Sequence, residues 1–562
     1  MTLHARLAAL QQSLRAESLQ PSLAATTGRT TRQQKRAAGA YYTPLPLVDF
    51  VTELVLEPLR SAVGAPLRVL DPAAGDGRFL RSAHALLQSA GVSSELIGFE
   101  RDAVVAAATA AALPHATIHT TEALLAAPAL PLADAVLGNP PYMRSVHLRR
   151  TDAALWHGLR SQFAATSTGE WDLYGAFIEK SLAWVRPGGR VGLVVPSRWL
   201  TAGFASKLRA RVGAELQTVV DFGSQQIFDG ATTYVAAIVL QRAGGGIAQA
   251  LPTDSVTVAH HAPHGWSIAA VARDVIAQVA APWRLRPTPS LACGGPTLHD
   301  VARVVKGAGT NADGVFVVEV VHSPTLVAPN LTLVRTSDGA LHEVERAALV
   351  PVWRGRDVGG TAPTHACIFP YRDAGLLTPA QLATAWPRVA AYLATQRSRL
   401  EARERGRFAG ATYYCFGRPQ NLVWLLAPAA KVVLPDVTRG GRASLDSGSL
   451  VLDTAYALRP RSDAPAHYQS LPWWRTLLAS PVIRIWLDAT GIPLRGDYMR
   501  MKTAYLRTLP LPPPSAALTA SIVAAEAGAW AASTAALREA YQVPSAQWSS
   551  SSSSSAGPTT DS

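Results

Sequence analysis

Between Leu67 and Leu240 the chain alternates short apolar runs with stretches whose apolar residues recur every three to four positions. Buried strands are expected at Leu67–Asp71, Leu96–Glu100, Ala133–Gly138, Val191–Val195 and Val235–Leu240. Between them, helical spacing predicts helices at Leu80–Ala90, Ala103–Leu113, Leu173–Trp184 and Ala205–Glu215. That order implies an α/β fold built on a doubly wound, Rossmann-like sheet. Gly244-Gly245-Gly246 breaks the pattern, and the text beyond is less regular and rich in Pro, Trp and Arg, so a domain boundary is expected near residue 245. There the clearest strand signals are Lys431–Pro435 and Leu450–Leu452, and a helical stretch covers Ala516–Tyr541. The serine run from Ser549 to Ser555 predicts a disordered end.

Composition adds charge to this picture. Of the 562 residues 48% are apolar, enough for real cores, and 52 basic against 39 acidic side chains leave a net charge of +13. Only six of the bases are Lys, so Arg dominates. Guanidinium forks suit phosphates and guanine edges; a GC-rich codon bias, which the abundant Ala supports, is the competing cause. Cys293, Cys367 and Cys415 form no C-x-x-C pair, which excludes a disulfide framework or zinc knuckle and fits a reducing cytoplasm. Met1–Gln20 reads as a polar amphipathic helix without the apolar centre of a secretory signal, and no apolar run is long enough to cross a bilayer, so a soluble, cytoplasmic chain is expected. Arg29–Arg36 is expected to be a flexible or DNA-touching arm. His260, His261 and His264 lack a carboxylate or Cys at ligand spacing and read as a polar loop, so no metal is expected.

Two stretches carry chemistry. The first is the turn Asp71-Pro-Ala-Ala-Gly-Asp-Gly77, where small residues let a ligand approach the backbone. Asp71 and Asp76 within it would repel a pyrophosphate and welcome a ligand carrying an ammonium and a sulfonium, such as S-adenosylmethionine. Glu100, at the end of the next predicted strand, is placed to accept from ribose hydroxyls. The second is Asn139-Pro140-Pro141-Tyr142, which ends the apolar strand from Ala133. Its prolines hold the chain extended and leave carbonyls unpaired, so Asn139 Oδ1 and the Pro140 carbonyl can both accept from one amine. Accepting both hydrogens of a delocalised amine frees its lone pair for attack on a methyl group, and no metal is needed. Tyr142 offers a face on which a planar group can stack.

With Gly39–Pro44, Lys431–Asp436 and Arg495–Lys502, these stretches fall in the order seen in N6-adenine-specific DNA methyltransferases, and the chain resembles the TaqI-like group of type II restriction-modification methylases over roughly residues 37–512. The resemblance implies S-adenosylmethionine as cofactor and double-stranded DNA as partner, with a separately encoded restriction nuclease or defence complex as a further candidate partner. It places Tyr42, Thr43 and Pro44 over the methionine end of the cofactor, and Asp71, Ala73 and Gly75 in the cofactor loop. Glu100 falls on the ribose, and Asn139, Pro140 and Tyr142 on the target amine. Glu122 stands where the family usually has Asp, reaching for the cofactor adenine, and Phe228 matches the residue that flanks the flipped base. Asp497, Met499 and Met501 replace the glycine and aromatics usual around the late basic segment. The domains would then be a basic arm over 1–36, a methyltransferase domain over 37–245 and a mixed α+β target recognition domain over 246–512. A helical segment over 513–545 and a disordered Ser-rich tail over 546–562 complete the chain.

Arg354, Arg356, Arg439, Arg442, Arg495, Arg500 and Lys502 lie near turns and strand ends, interleaved with Trp353, Tyr498 and Tyr505, and as a cluster they favour a DNA groove. Arg356, Arg439, Arg442, Arg500 and Lys502 are the candidate DNA contacts. An N-P-P-Y methyltransferase acting on a protein glutamine or ribosomal RNA shares the chemistry, but would not ordinarily carry a further Arg-rich domain of this length. A fused nuclease of the P-D…D/E-x-K type is not expected, because the residue two before each Lys is Gln33, Ile178, Ala205, Val304, Ala429 or Arg500, none of them acidic.

Overall fold

The structure, a computed structural model, describes residues 1–18, 42–60, 66–223, 225–228, 233–244, 254–262, 265–277, 283, 291, 294–321, 328–373, 375–494 and 496–553. Two compact units divide the chain, Met1–Pro287 and Thr288–Ser562.

The first unit is built on a nine-stranded sheet in the order β3-β2-β1-β4-β5-β7-β6-β8-β9. Its strands are β1 (Leu67–Asp71), β2 (Ser94–Glu100), β3 (Ala116–Thr120), β4 (Ala133–Gly138), β5 (Val185–Pro196), β6 (Leu216–Asp221), β7 (Val235–Gln241), β8 (Ser255–Ala262) and β9 (Gly265–Ala272). β1 to β5 run parallel, while β7 lies antiparallel between β5 and β6. Crossovers come from α3 (Arg78–Ser89), α4 (Ala103–Ala112) and α5 (Tyr174–Trp184), while α2 (Leu45–Leu56) precedes β1. The central strands are almost wholly buried because both faces are covered, which is why β7 is apolar up to Gln241 and β4 is apolar apart from the partly buried Asp134. At Gly192 the α2 helix lies so close to β5 that a Cβ would stand 2.4 Å from Val55 Cγ2.

The unit continues past the boundary expected near 245. β8 pairs in parallel with β6, and β9 pairs antiparallel with β8, so the sheet draws this hairpin into the first unit and the division falls after Pro287. His260 and His261 therefore sit on a strand, not in a polar loop; His264 lies outside the described residues. His260 Nδ1 lies 3.2 Å from Asp221 Oδ2, and His261 Nε2 lies 3.0 Å from the Gln11 amide nitrogen. The amino-terminal helix α1 (Leu3–Ser18) is docked, with Leu7 and Leu10 buried against α2 and Arg6 paired with Glu57. This part of the expected basic arm is thus packed structure, and Arg29–Arg36 lies outside the described residues.

The second unit combines a six-stranded, a four-stranded and a three-stranded sheet with helices, as expected for α+β. Lys431 is fully buried on its strand and faces Asp446, its register partner, at 2.6 Å; Trp353 Nε1 donates to the same carboxylate at 2.8 Å. Trp353, expected beside the groove, is therefore core. The helical stretch near the end divides into Ala516–Glu526 and Trp530–Ala540 around Gly528, whose φ of 72° belongs to the left-handed region. Contrary to the expectation of disorder, Ser545–Ser553 is helical, and Ser551 is buried. Residues 554–562 lie outside the described set. Among the described residues no helix is long and apolar enough to cross a membrane.

Candidate active site

In an open sheet of this winding, ligands bind beyond the carboxyl ends of the strands where strand order reverses, here between β1 and β4. The turn after β1 and the tetrapeptide after β4 meet at that point. Asp71 closes β1 with its side chain buried, and a Cβ built on Gly138 would stand 2.8 Å from Asp71 Oδ1, so the acid lies directly beneath the start of Asn139–Tyr142. It accepts from the Ala73 N–H at 3.0 Å. Burial without a compensating cation pushes the carboxyl up to about 8.

The turn is held open by Glu100. Its carboxylate accepts from the Gly75 N–H at 3.0 Å and from the Asp102 N–H at 2.8 Å, while Thr109 Oγ1 donates to the Gly75 carbonyl at 2.6 Å. The neighbouring Arg101 does not pair with Glu100 but reaches Asp152 at 3.0 Å. Gly77 caps α3 with φ 75°, and a Cβ there would stand 2.4 Å from Leu113 Cδ1, so the close packing of α4 requires glycine at this position.

Asp76 does not join Asp71 as a second ligand-facing acid. Arg78 takes it, Nη2 to Oδ2 at 2.6 Å and Nε to Oδ1 at 2.9 Å. The same guanidinium donates to the Thr43 carbonyl and lies 4.9 Å from the Tyr42 ring centroid. Arg78 thereby clamps Tyr42-Thr43-Pro44 onto the turn, a role the sequence reading missed; its signal was an acid and a base two residues apart at a helix start. Pro44 caps α2, Thr43 Oγ1 is buried without a hydrogen-bond partner among the described residues, and Tyr42 is half exposed. Among the described residues, an orphaned hydroxyl, a buried acid without a cation and a carboxylate bound only to backbone N–H groups fit a ligand with cationic and hydroxyl groups. Glu122 is turned elsewhere: its two oxygens accept from the Leu124 and Leu125 N–H groups at 2.7 and 2.8 Å and cap their own turn.

On the other side of the point, Tyr142 donates to Asn139 Oδ1 at 2.6 Å, and its hydroxyl lies 3.1 Å from the Val194 carbonyl on β5. Pro140 is buried. The Tyr142 ring meets Phe228 at 6.1 Å between centroids with 61° between planes, and Tyr174, unmarked by the sequence reading, at 6.3 Å edge-on. Phe228 is itself buried in the core, so it is both a packing residue and one wall beside the tetrapeptide.

In the second unit, the three-stranded sheet brings Arg439 and Arg500 together: Val437 pairs with Arg500, and the Arg439 guanidinium lies 4.6 Å from the Tyr498 centroid. Arg500 and Lys502 are exposed, with no ion pair among the described residues, whereas Arg495 lies outside them. Asp497 is held by Arg484 at 2.8 Å, and Met499 and Met501 are buried beneath, so the departures from the family pattern here serve packing. Arg442 donates to the Arg356 carbonyl at 3.0 Å and to the Val358 carbonyl, tying that loop down, while the Arg356 side chain is exposed. Arg354 pairs with Asp357 and is largely buried.

Comparison with known proteins bears on this arrangement. The family model for Eco57I restriction-modification methylases matches residues 133–228, the segment that runs from β4 through Asn139–Tyr142 to Phe228. The type II methyltransferase M.PaeR7I of Pseudomonas aeruginosa is 26% identical over 552 residues, covering 88% of this chain and 89% of its own. M.TthHB8I of Thermus thermophilus is 32% identical over 220 residues, 38% of this chain and 47% of its own. Among solved structures, the type IIL restriction-modification enzyme MmeI in complex with DNA shares the fold with a TM-score of 0.60 at 14% identity, covering 94% of this chain and 78% of that one. Residues 133–228 thus match an Eco57I-type restriction-modification methylase domain, and over most of its length the chain is similar to a type II methyltransferase.

Proposed function

We propose that this chain is a site-specific DNA methyltransferase that transfers a methyl group from S-adenosylmethionine to the exocyclic N6 amine of adenine in double-stranded DNA, protecting host DNA in restriction-modification. What carries the reading is the position of Asn139-Pro140-Pro141-Tyr142, at the strand-order reversal and directly above buried Asp71. Asn139 Oδ1 and the Pro140 carbonyl accept the two hydrogens of the amine, drawing its lone pair out of conjugation, while Tyr142 and Phe228 flank the base. S-adenosylmethionine supplies an electrophilic methyl on sulfur. Asp71 meets its positive charge, Glu100 and the Gly75 turn hold its ribose, and Tyr42, Thr43 and Pro44, fastened by Arg78, close over its methionine end. Ala73 keeps the turn's approach clear, and Glu122 reaches the adenine amine only by giving up its own cap. The first unit holds this chemistry, and the second binds and selects the DNA site, with Arg356, Arg439, Arg442, Arg500 and Lys502 as its DNA contacts. A separately encoded restriction nuclease or defence complex is the natural partner.

Two expected outcomes follow from the local geometry. Tyr142→Phe keeps the stacking face but removes the hydroxyl that orients Asn139 Oδ1, and is expected to lower kcat by about three- to tenfold in single-turnover assays. Because the Asp71 carboxyl sits at about 8, above its ordinary value, its contribution to folding stability is full below about pH 4 and is lost as pH rises through about 8. A cation beside it favours the ionised form. Cofactor affinity should therefore rise between about pH 7 and pH 9 with release of a proton, and Asp71→Asn should flatten that rise in calorimetry.

Digestion of unmodified DNA to nucleosides after incubation with the full chain and S-adenosylmethionine tests the reaction. N6-methyldeoxyadenosine is the expected product; methylated cytosine, or label found only in protein or ribosomal RNA, would overturn the reading.

A further inference from the structure

The candidate DNA contacts of the second unit do not form one uniform basic surface. Arg439, Arg500 and Lys502 cluster around the small sheet without free carboxylates beside them, since Asp497 is held by Arg484 and Asp436 accepts from Tyr456 at 2.9 Å. Next to them, joined by the Arg442–Arg356 hydrogen bond, opens a cavity of about 580 Å³ with a different lining. Its floor is a face of the six-stranded sheet. Glu319 and Arg335 are direct register partners there, 3.1 Å apart and each about half exposed, at 50% and 48%. His365 follows on the adjoining strand, one position beyond the Val318–Ala366 pair, and Arg354 lies 2.8 Å from its Nδ1.

Charge separates the two regions. The lining carries Asp313 and Glu319 beside Arg335, Arg354 and Arg356, and Arg354 is further neutralised by Asp357 outside it, so the cavity is far less basic than the neighbouring cluster and offers acceptors as well as donors. A phosphate chain would be repelled by the half-exposed Glu319 as much as drawn by Arg335. Base edges, by contrast, present donors and acceptors side by side. In the major groove guanine shows two acceptors, O6 and N7, and its partner cytosine shows the N4 donor beside them. An arginine fork and a carboxylate held together on adjacent strands match that arrangement.

We infer that Glu319 and Arg335 read one G·C base pair in the major groove, Arg335 donating to guanine and Glu319 accepting from the cytosine amine, while Arg439, Arg500 and Lys502 hold the phosphates alongside. Arg354, already spent on Asp357 and His365, acts as a positioning residue for the cavity wall. This assignment rests on the reading of the second unit as the DNA-selecting part, and it distinguishes specificity from affinity within that unit.

The test is a binding selection from randomised duplexes with the full-length protein, read by sequencing, for the unaltered chain and for Glu319→Gln, Arg335→Ala and Arg335→Lys. The unaltered chain should select a motif containing a G·C pair at which Arg335→Ala lowers preference by about ten- to a hundredfold, other positions being retained. Arg335→Lys, which keeps the charge but not the fork, should relax the same position, and Glu319→Gln should weaken preference there too. Arg500→Ala serves as contrast and should weaken binding to all sequences alike. Equal weakening at every position by the Arg335 substitutions, or an unchanged motif, would overturn the assignment. The selection needs no methyl transfer. Thus a chain that selects the motif but makes no N6-methyldeoxyadenosine refutes the proposed reaction alone, and one that methylates adenine with an unaltered motif in the variants refutes this inference alone.

Discussion

Asn139→Ala is expected to leave binding of S-adenosylmethionine and duplex DNA within about threefold of the unaltered protein while lowering the rate of methyl transfer by at least about 10³-fold. The argument is one of differential binding. In the ground state the adenine amine can be solvated or paired elsewhere, and its lone pair lies in the ring's conjugated system. As the nitrogen moves toward tetrahedral geometry its hydrogens become stronger donors, and an acceptor fixed at that point gains most in the transition state. Asn139 Oδ1 is fixed: Asn139 directly follows the largely buried β4, and the Tyr142 hydroxyl holds its Oδ1 at 2.6 Å. Alanine removes the acceptor without opening a core cavity, because Asn139 is only partly buried. Single-turnover rates and cofactor titrations measure the two halves separately. Parallel losses in both would place Asn139 in binding instead of catalysis.

The second large effect concerns affinity. Replacing Arg439, Arg442, Arg500 and Lys502 together by Gln is expected to weaken duplex binding on the order of 10³-fold at about 0.1 M salt and to flatten the salt dependence by about three to four units of slope. Each neutralised phosphate contact removes roughly one released counterion. Arg500 and Lys502, exposed and without ion pairs among the described residues, should each give close to a full unit. Arg442 already donates to two backbone carbonyls, so part of its loss appears as loosening of the loop at Arg356 and Val358. Binding isotherms at several salt concentrations, with cofactor binding as the control for folding, read both effects.

Much of the first unit is legible in the chain because its central strands are buried on both faces. β1 and β4 emerge at their expected bounds, since each is mostly apolar, apart from Arg68 and the closing Asp71 in β1 and Asp134 in β4, and each runs into a proline-bearing turn. The strands that escape notice are those with a wet side. β3, at the sheet edge, reads Ala-Thr-Ile-His-Thr and is only half buried, so no apolar run marks it. The β8–β9 hairpin follows a glycine triplet and resembles a linker; only its pairing with β6 draws it into the first unit. The same distinction applies at the site. Asn139–Tyr142 and Glu100 are marked by local sequence, because a proline pair and a strand-end acid show themselves by position. The fate of Asp76, the cap formed by Glu122 and the burial of Trp353 depend on partners that periodicity does not specify. Arg78 escaped for a related reason: Asp76 is two residues before it, but Thr43 lies 35 residues earlier in the chain and becomes its neighbour only after folding.

Modification-sensitive sequencing of DNA from cells expressing either the unaltered chain or Asn139→Ala tests the central claim most directly. The account predicts one short motif carrying N6-methylated adenine at a fixed position in the first sample and none in the second. Modified adenine absent from both samples, or the same methylated motif in both, would contradict it.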